Sequence, residues 1–461
     1  KEIILHKESV YEIRRKLRIY KQNLNEKKIN LDDDYIKFIR MGESYIEHNN
    51  EGILAYISNH SFIDGVTHRQ MRKHLMETFD KIYILDLHGN AKKKERCVDG
   101  SKDENVFDIQ QGVSINIFVK TGMNQPNELA KVYHAELLGV RENKFDYLNN
   151  HEIDTIEYTE LQPVEPYYFF TPKDFDNEVE YDNCVKLTDI FKEYNSGIQT
   201  KNDPLSIQFT HKDIERIVEN MKQLTIEELK EQYSLIDSSG WTVKNAKNDV
   251  QRDSGEFRPI SYKVFDTRYT YFTDKSSGFL GRPRYNVMSH LSKGVLGLGF
   301  TRSIPANQDF NHIIIVNQIM DIHIIGGQSY VAPLYLYENN SAQTSFFELN
   351  RKPNLNMEIV QDLETRLGLT FTPEKENTEG TFAPIDILDY IYGVLHSNKY
   401  RIKYKEFLKI DFPRIPYPIN KEYFFNVAEL GKRLREIHLM EAPEVKEYIT
   451  SYGVSGDNEV I

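Results

Sequence analysis

The sequence predicts an α/β sheet element, followed by an α+β region that ends in helices. Three observations carry this. Between residues 31 and 140, short apolar strand-like runs alternate with amphipathic helical ones, the pattern of strand–helix–strand units. From about residue 130 that alternation stops. Beyond residue 376, apolar stripes recur at helical spacing. Domains are therefore expected at 1–160, 161–375 and 376–461, each large enough to bury a core.

Residues 1–30 are charged and read as helical, with Tyr11, Leu17 and Ile19 as contacts. Next, Tyr35, Phe38 and Ile39 fall at i, i+3 and i+4 on one helix face, opened by Asp32 to Asp34 as capping and dipole-compensating acids. Gly52 to Ser58 is a continuous apolar run and reads as a fully buried strand. Asn59 to Asp64 is a turn, Val66 to Phe79 a helix, and Lys81 to Leu87 a second buried strand. A basic loop (Lys92, Lys93, Lys94, Arg96) precedes the stretch DENVFDIQQGVSINIFVK, residues 103–120. In it Val113, Ile115, Ile117 and Val119 alternate with Ser114, Asn116 and Phe118, the period of a half-buried strand. If these strands run parallel, Asn59–Asp64, Asp86–Asn90 and Asn105–Ile109 meet at one sheet edge, where ligands of α/β sheets bind.

Phe107 stands alone in a polar run ahead of that strand. Two readings stay open: it plugs the end of the core, or it offers a flat face to a planar ligand such as a nucleobase.

Lys131 to Ala135 reads as an edge strand, and Glu165 to Phe170 as a linker or short strand. FKEYNSGIQT turns on Gly197, and residues 214–235 are helical. GVLGLG, residues 294–299, reads as a tight turn, because no Lys-Ser/Thr follows to make it a phosphate loop. Strands are expected at Ile313–Val316 and Ile322–Ile325. The final helices carry Ile385, Leu388, Tyr392 and Leu395, then Phe424, Val427, Leu430, Leu434 and Ile437, as core stripes.

The net charge of −12 argues against non-specific coating of nucleic acid, but a local groove depends on the local field. Residues 241–310 hold eleven Lys/Arg against six Asp/Glu, an island of +5 interleaved with Phe257, Tyr262, Phe265, Tyr269, Tyr271 and Phe272. That mixture fits a solvated face or a nucleic-acid surface. Two cysteines, Cys97 and Cys184, are too few for a thiolate zinc site, and no metal is expected. No apolar run has membrane-spanning length and no leader precedes the first helix, which predicts a cytoplasmic protein. The chain starts at Lys1 and reads as a fragment.

DDDYIKFIR, GILAYISNHSFIDG, FDKIYILDLHGN and DENVFDIQQGVSINIFVK, in this order, resemble the second half of a γ-class adenine-N6 DNA methyltransferase. SGIQT, FDTRYTYF and residues 383–418 are similar to the recognition region of Type ISP and related Type IIG restriction-modification enzymes. The resemblance spans roughly residues 20–455. It implies a partial Rossmann-like methyltransferase sheet followed by a target-recognition domain with a helical end. It places Tyr35 and Phe38 near the adenine of S-adenosylmethionine, and Asn59 and His60 at the DNA-side mouth of the active site. Phe107 takes the place of the aromatic that stacks on the extruded adenine. Arg258, Arg268, Arg282 and Arg284 fall in the DNA-facing part.

The glycine-rich cofactor turn and the Asn/Asp-Pro-Pro-Tyr tetrad are absent from these residues; Asn124 to Asn127 and Arg282 to Tyr285 match the tetrad poorly. The chain alone is therefore expected neither to methylate nor to bind S-adenosylmethionine tightly. The partners implied are double-stranded DNA, the other methyltransferase half and nuclease or helicase regions. Three readings follow: part of an adenine methyltransferase with its recognition domain, a non-catalytic specificity module that docks on a separate catalytic subunit, or an interaction protein with a Rossmann-like remnant.

Overall fold

The computed structural model describes residues 7–24, 31–91, 95–97, 99–123, 128–304, 308–337, 351–451 and 453. Lys92 to Lys94 and Asn124 to Asn127 lie outside them, as does the Tyr11 side chain. The chain forms two compact units, residues 1–174 and 175–461. No described helix is long and apolar enough to cross a membrane.

The first unit is built on a five-stranded sheet: β1 (Gly52–Asn59), β2 (Lys81–Asp86), β3 (Val113–Lys120), β4 (Lys131–Glu136) and β5 (Thr159–Leu161), in the order β1-β3-β2-β4-β5. β3 runs antiparallel to both β1 and β2, while β2 and β4 are parallel. Hence β1, β2 and β4 share one direction, and their C-terminal ends meet the start of β3 at one sheet edge. The three loops expected to converge do so.

Several elements depart from the sequence reading. β1 is an edge strand, not a buried one, and Ile53 and Ile57 are 67% and 53% exposed. Its other face lies against the Asp34–Asn49 helix, where Gly42 meets Leu54. β4 is internal, since β5 pairs with it. On β3 the deeper face is the one carrying Ser114, Asn116 and Phe118, all fully buried, with Ile115 and Ile117 only partly covered. This is tolerable because the polar atoms satisfy one another: Ser114 Oγ donates to Asn116 Oδ1 (2.9 Å) and Asn116 Nδ2 to Ser58 Oγ (3.1 Å).

The Asp34–Asn49 helix buries Ile36, Ile39, Arg40 and Glu43, leaving Phe38 47% exposed. Glu43 orders this polar seam by accepting from Tyr20 (2.6 Å), Arg40 (2.8 Å) and His74. Asp32 and Asp34 pair with Lys21 and Lys37, and the N-cap Asp33 makes no side-chain cap bond. Residues 165–170 form no strand. Buried Arg72 holds them by donating to the carbonyls of Tyr167 and Tyr168, and it also ties down those of Phe62 and Gly65.

The second unit contains a four-stranded antiparallel sheet in the order Ile313–Val316, Gly297–Thr301, Ser329–Pro333, Asn195–Ser196. A hairpin, Glu256–Lys263 with Asp266–Phe272, takes Ile319–Met320 as a parallel third strand. GVLGLG therefore turns only at its start and ends inside a strand, while residues 322–325 are turn rather than strand. The long helix expected at 385–408 is three pieces, Pro384–His396, Asn398–Lys403 and Lys405–Leu408. The first packs into the same core as the four-stranded sheet, with Leu388, Tyr392 and Leu395 against Leu298, Phe300 and Ile315.

Its partner is the Lys421–His438 helix, which buries Phe424, Ala428, Gly431 and Arg435; of the expected stripe Phe424 is fully buried and Val427 and Leu434 pack partly buried against the core, while Leu430 is 64% exposed. Gly431 sets this face. A β-carbon there would lie 1.8 Å from the Asp389 carbonyl oxygen, so the backbones cross at a distance that only glycine permits. Arg435 closes the crossing with two bonds to Asp389 (2.7 and 3.0 Å). Gly431→Val should destabilise the second unit by about 3 kcal/mol, the upper end of overpacking costs. The exposed control Leu430→Ala should stay within about 0.5 kcal/mol. Denaturant unfolding followed by Trp241 fluorescence reads both; equal midpoints for the two variants would contradict the crossing.

Candidate functional site

At the sheet edge of the first unit, a cleft of about 520 Å³ is lined by Gly89, Asp103, Asn105, Phe107, Gln110 and Arg141 among others. Its frame is a buried ion pair. Lys144 Nζ lies 2.7 Å from Asp103 Oδ1, both side chains fully enclosed, and donates to the carbonyls of Leu87 and Glu104. Asp103 in turn accepts from the backbone N–H groups of Gly89 (2.6 Å) and Gly139 (2.8 Å). One charge pair thus fixes three loops.

The loop that carries Phe107 is held on both sides of that residue. Its N–H donates to Asn105 Oδ1 (2.8 Å), and its carbonyl accepts from Arg141 (3.0 Å). Asn105 Nδ2 donates to the carbonyls of Gly89 and Gln111. The residue that enters the core is its neighbour Val106, packed with Leu85, Leu87 and Val113. Phe107 is 43% exposed on the cleft wall. The open choice for Phe107 is thereby narrowed: the core plug is Val106.

Residues 59–64 do not line this cleft. Asn59 Oδ1 accepts from Ser61 N (2.9 Å) and Ser61 Oγ (2.7 Å), shaping the turn. His60 departs from the expected DNA-side position: it is buried, because its Nδ1 turns in to Asp86 Oδ1 at 2.9 Å. Burial alone would raise the Asp86 carboxyl, but the bond from His60 and the nearby His88 hold it below the ordinary carboxylate range. Tyr35 is half-buried with its hydroxyl 3.3 Å from His68 Nε2, and burial raises its phenol. Phe38 faces outward on the same helix. Neither lines the Phe107 cleft.

In the second unit the four arginines separate into two kinds. Arg258 is paired with Glu256, and Arg268 with Asp266 (2.9 Å), both acids two residues away on the same strand. Arg268 also lies over the rings of Phe209 (4.1 Å) and Tyr262 (4.3 Å). Arg282 and Arg284 have no carboxylate partner among the described residues. Arg282 is exposed; Arg284 has left-handed backbone (φ 54°), and its buried Nε has no hydrogen-bond partner among the described residues. Burial and the adjacent Arg282 charge both lower the Arg284 guanidinium.

That loop is built from below. Fully buried Asp249 accepts from Phe279 N (2.9 Å) and Thr273 Oγ1 (2.7 Å), and Trp241 Nε1 donates to the Phe279 carbonyl (3.1 Å). The SGIQT segment clamps the other side. Arg282 N donates to Gln199 O (2.8 Å), Gln199 N to Arg282 O (3.1 Å) and Gly281 N to Thr200 O (3.0 Å). Gly197 lets this segment cross the backbone at Asp321 and Ile322, 2.6 Å from where a β-carbon would stand. Two unpaired arginines on a fixed loop, beside the exposed ring of Tyr285 stacked on Phe272, can bind an anion or the edge of a base.

Sequence reasoning missed Lys144, Arg141 and Asp249, whose roles depend on distant loops. It also grouped all four arginines, although the i−2 acids beside Arg258 and Arg268 were a usable signal.

Residues 189–461 match the family model described as the Type ISP C-terminal specificity domain. A search of curated proteins finds no significant match. Among solved structures, the chain is similar to the ATP-dependent Type ISP restriction-modification enzyme LlaBIII bound to DNA (TM-score 0.70, 22% identity, 93% of this chain and 28% of that one). It is similar also to DrdV in a complex with DNA (TM-score 0.68, 22% identity, 93% and 42%). A third is a nuclease-deletion mutant of the Type ISP enzyme LlaGI with a DNA substrate mimic (TM-score 0.66, 21% identity, 94% and 33%). The chain thus spans less than half the length of each, and the likeness establishes a shared mixed α/β fold.

Proposed function

Since the chain belongs to the Type ISP C-terminal specificity domain family, we propose that its second unit recognises the DNA target of a restriction-modification enzyme. The observation that carries this is the Arg282–Arg284 loop: two guanidinium groups, free of carboxylate partners among the described residues, on a backbone fixed by Asp249 and SGIQT. Double-stranded DNA supplies the phosphates and base edges such groups take.

The first unit, in this proposal, is the base-binding half of an adenine-N6 methyltransferase that uses S-adenosylmethionine when the other half is present. The exposed Phe107, on a loop held by Asn105 and Arg141, would stack on an extruded adenine. The edge strand β1, whose outer backbone is unpaired among the described residues and which exposes Ile53 and Ile57, suits pairing with further sheet from the rest of such an enzyme.

The test is a unit exchange in the full-length protein. Replacing residues 175–461 by the equivalent unit of another Type ISP enzyme should transfer that enzyme's methylated motif, mapped by sequencing N6-methyladenine. Retention of the parental motif would place recognition elsewhere.

A further inference from the structure

We propose that the sheet edge of the first unit holds a divalent transition-metal ion, zinc fitting best, between His60, Asp86 and His88, with Glu95 as fourth ligand. One ligating atom from each of the first three lies within 4.8 Å of the others. His60 Nδ1 is 2.9 Å from Asp86 Oδ1, His88 Nδ1 is 3.7 Å from Asp86 Oδ2, and Glu95 Oε2 is 3.9 Å from His88 Nδ1. These separations bracket the edge of about 3.3 Å in a tetrahedron with zinc–ligand bonds of ~2.0–2.1 Å.

The surroundings are those of a coordination site rather than of a solvated ion pair. His60 and Asp86 are each only 4% exposed. Asp86 Oδ1 faces His60 Nδ1, and the proton the two share is the one a bound ion would displace; Oδ1 also accepts from the backbone N–H of His88 (3.0 Å), while Oδ2 lies on the His88 side. The outer nitrogen of His88, Nε2, is 3.2 Å from Glu136 Oε2. A carboxylate behind a ligating imidazole is the usual device for fixing its tautomer and raising its basicity. His88 reaches this position because its backbone is left-handed (φ 52°), a strained state that turns the chain back at the end of β2. Buried His134, two residues before Glu136 on β4, keeps Nε2 without a hydrogen-bond partner among the described residues, as does His60.

Two imidazoles with one or two carboxylates select borderline transition metals over magnesium, which prefers an all-oxygen octahedron. The ion does not rest on the methyltransferase reading and could be structural, since it would staple the ends of β1 and β2 at residues 26 apart in sequence.

The test uses the whole chain, freed of metal by chelator dialysis and titrated calorimetrically with zinc chloride and, separately, magnesium chloride. Zinc should bind at one equivalent and magnesium should give no saturable heat. Cobalt(II) should show the visible absorption of a low-symmetry four-coordinate site, a readout that needs no variant. His88→Ala should weaken zinc at least a hundredfold. Glu136→Gln, a conservative change at an exposed side chain, should weaken it ten- to hundredfold with an unchanged circular dichroism spectrum. Zinc stoichiometry well below one, or zinc affinity unchanged in Glu136→Gln and in a His60→Ala/His88→Ala double variant, would overturn the proposal.

Discussion

Lys144→Met should destabilise the first unit by about 3–5 kcal/mol, the cost of removing one partner from a buried ion pair. The methionine keeps the apolar stem but strands the enclosed Asp103 carboxylate and removes the donor to two carbonyls, those of Leu87 and Glu104. Asp103 retains its two backbone donors, from Gly89 and Gly139, so the loss is of charge compensation more than of hydrogen bonding. The double variant Asp103→Asn/Lys144→Met should recover part of the loss, because a neutral amide no longer demands a cation. In urea, far-UV circular dichroism should show a phase shifted to lower denaturant. The fluorescence of Trp241, the single tryptophan and a residue of the second unit, should keep its midpoint. An unshifted dichroism transition would mean that the pair does not organise the loops.

On the proposal that the first unit binds an extruded adenine, Phe107→Ala in the full-length protein should slow adenine methylation by about ten- to hundredfold, while Phe107→Trp should be mild. The adenine amino group is buried in the duplex stack, so the base must leave the helix, and an aromatic ring can replace a lost stacking neighbour. Such stacking is worth about 1–3 kcal/mol per base, which gives the stated range of rates. The fold should survive, since Phe107 is 43% exposed and contributes nothing to the neighbouring apolar cluster, which is filled by Val106. Single-turnover methylation with saturating cofactor, together with a thermal melt, separates the two effects. A variant that melts early yet methylates normally once folded would make Phe107 a packing residue.

How far the sequence could be read depended on whether the relevant partners were local. The alternation from Val113 to Val119 identifies β3, and the isolated phenylalanine in a polar run marks the loop at the cleft. What alternation cannot say is which face goes deeper. On β3 the Ser114–Asn116 face lies deeper because Ser58, on a neighbouring strand, completes its hydrogen bonds. The apolar run of β1 looks like that of an internal strand, and only the sheet order shows it at an edge. Arg72 and Lys144 look like surface cations in sequence, since their partners are backbone carbonyls and a distant acid. His60 and Asp86 meet only because β3 inserts between β1 and β2 and brings their ends level.

The most direct test of the DNA-recognition account is binding of this chain to duplex DNA, measured by fluorescence anisotropy at two salt concentrations. The duplexes carry the motif found by methylation mapping or a scrambled version of it. Arg282→Ala or Arg284→Ala should cost about 1–3 kcal/mol on the matched duplex where the side chain reads a base. Where it holds a phosphate, both duplexes should weaken alike and the salt slope should fall by about 0.9. Arg258→Ala and Arg268→Ala, whose guanidinium groups are already paired with Glu256 and Asp266, should change binding less. Unchanged affinity of both Arg282→Ala and Arg284→Ala for both duplexes would contradict the account.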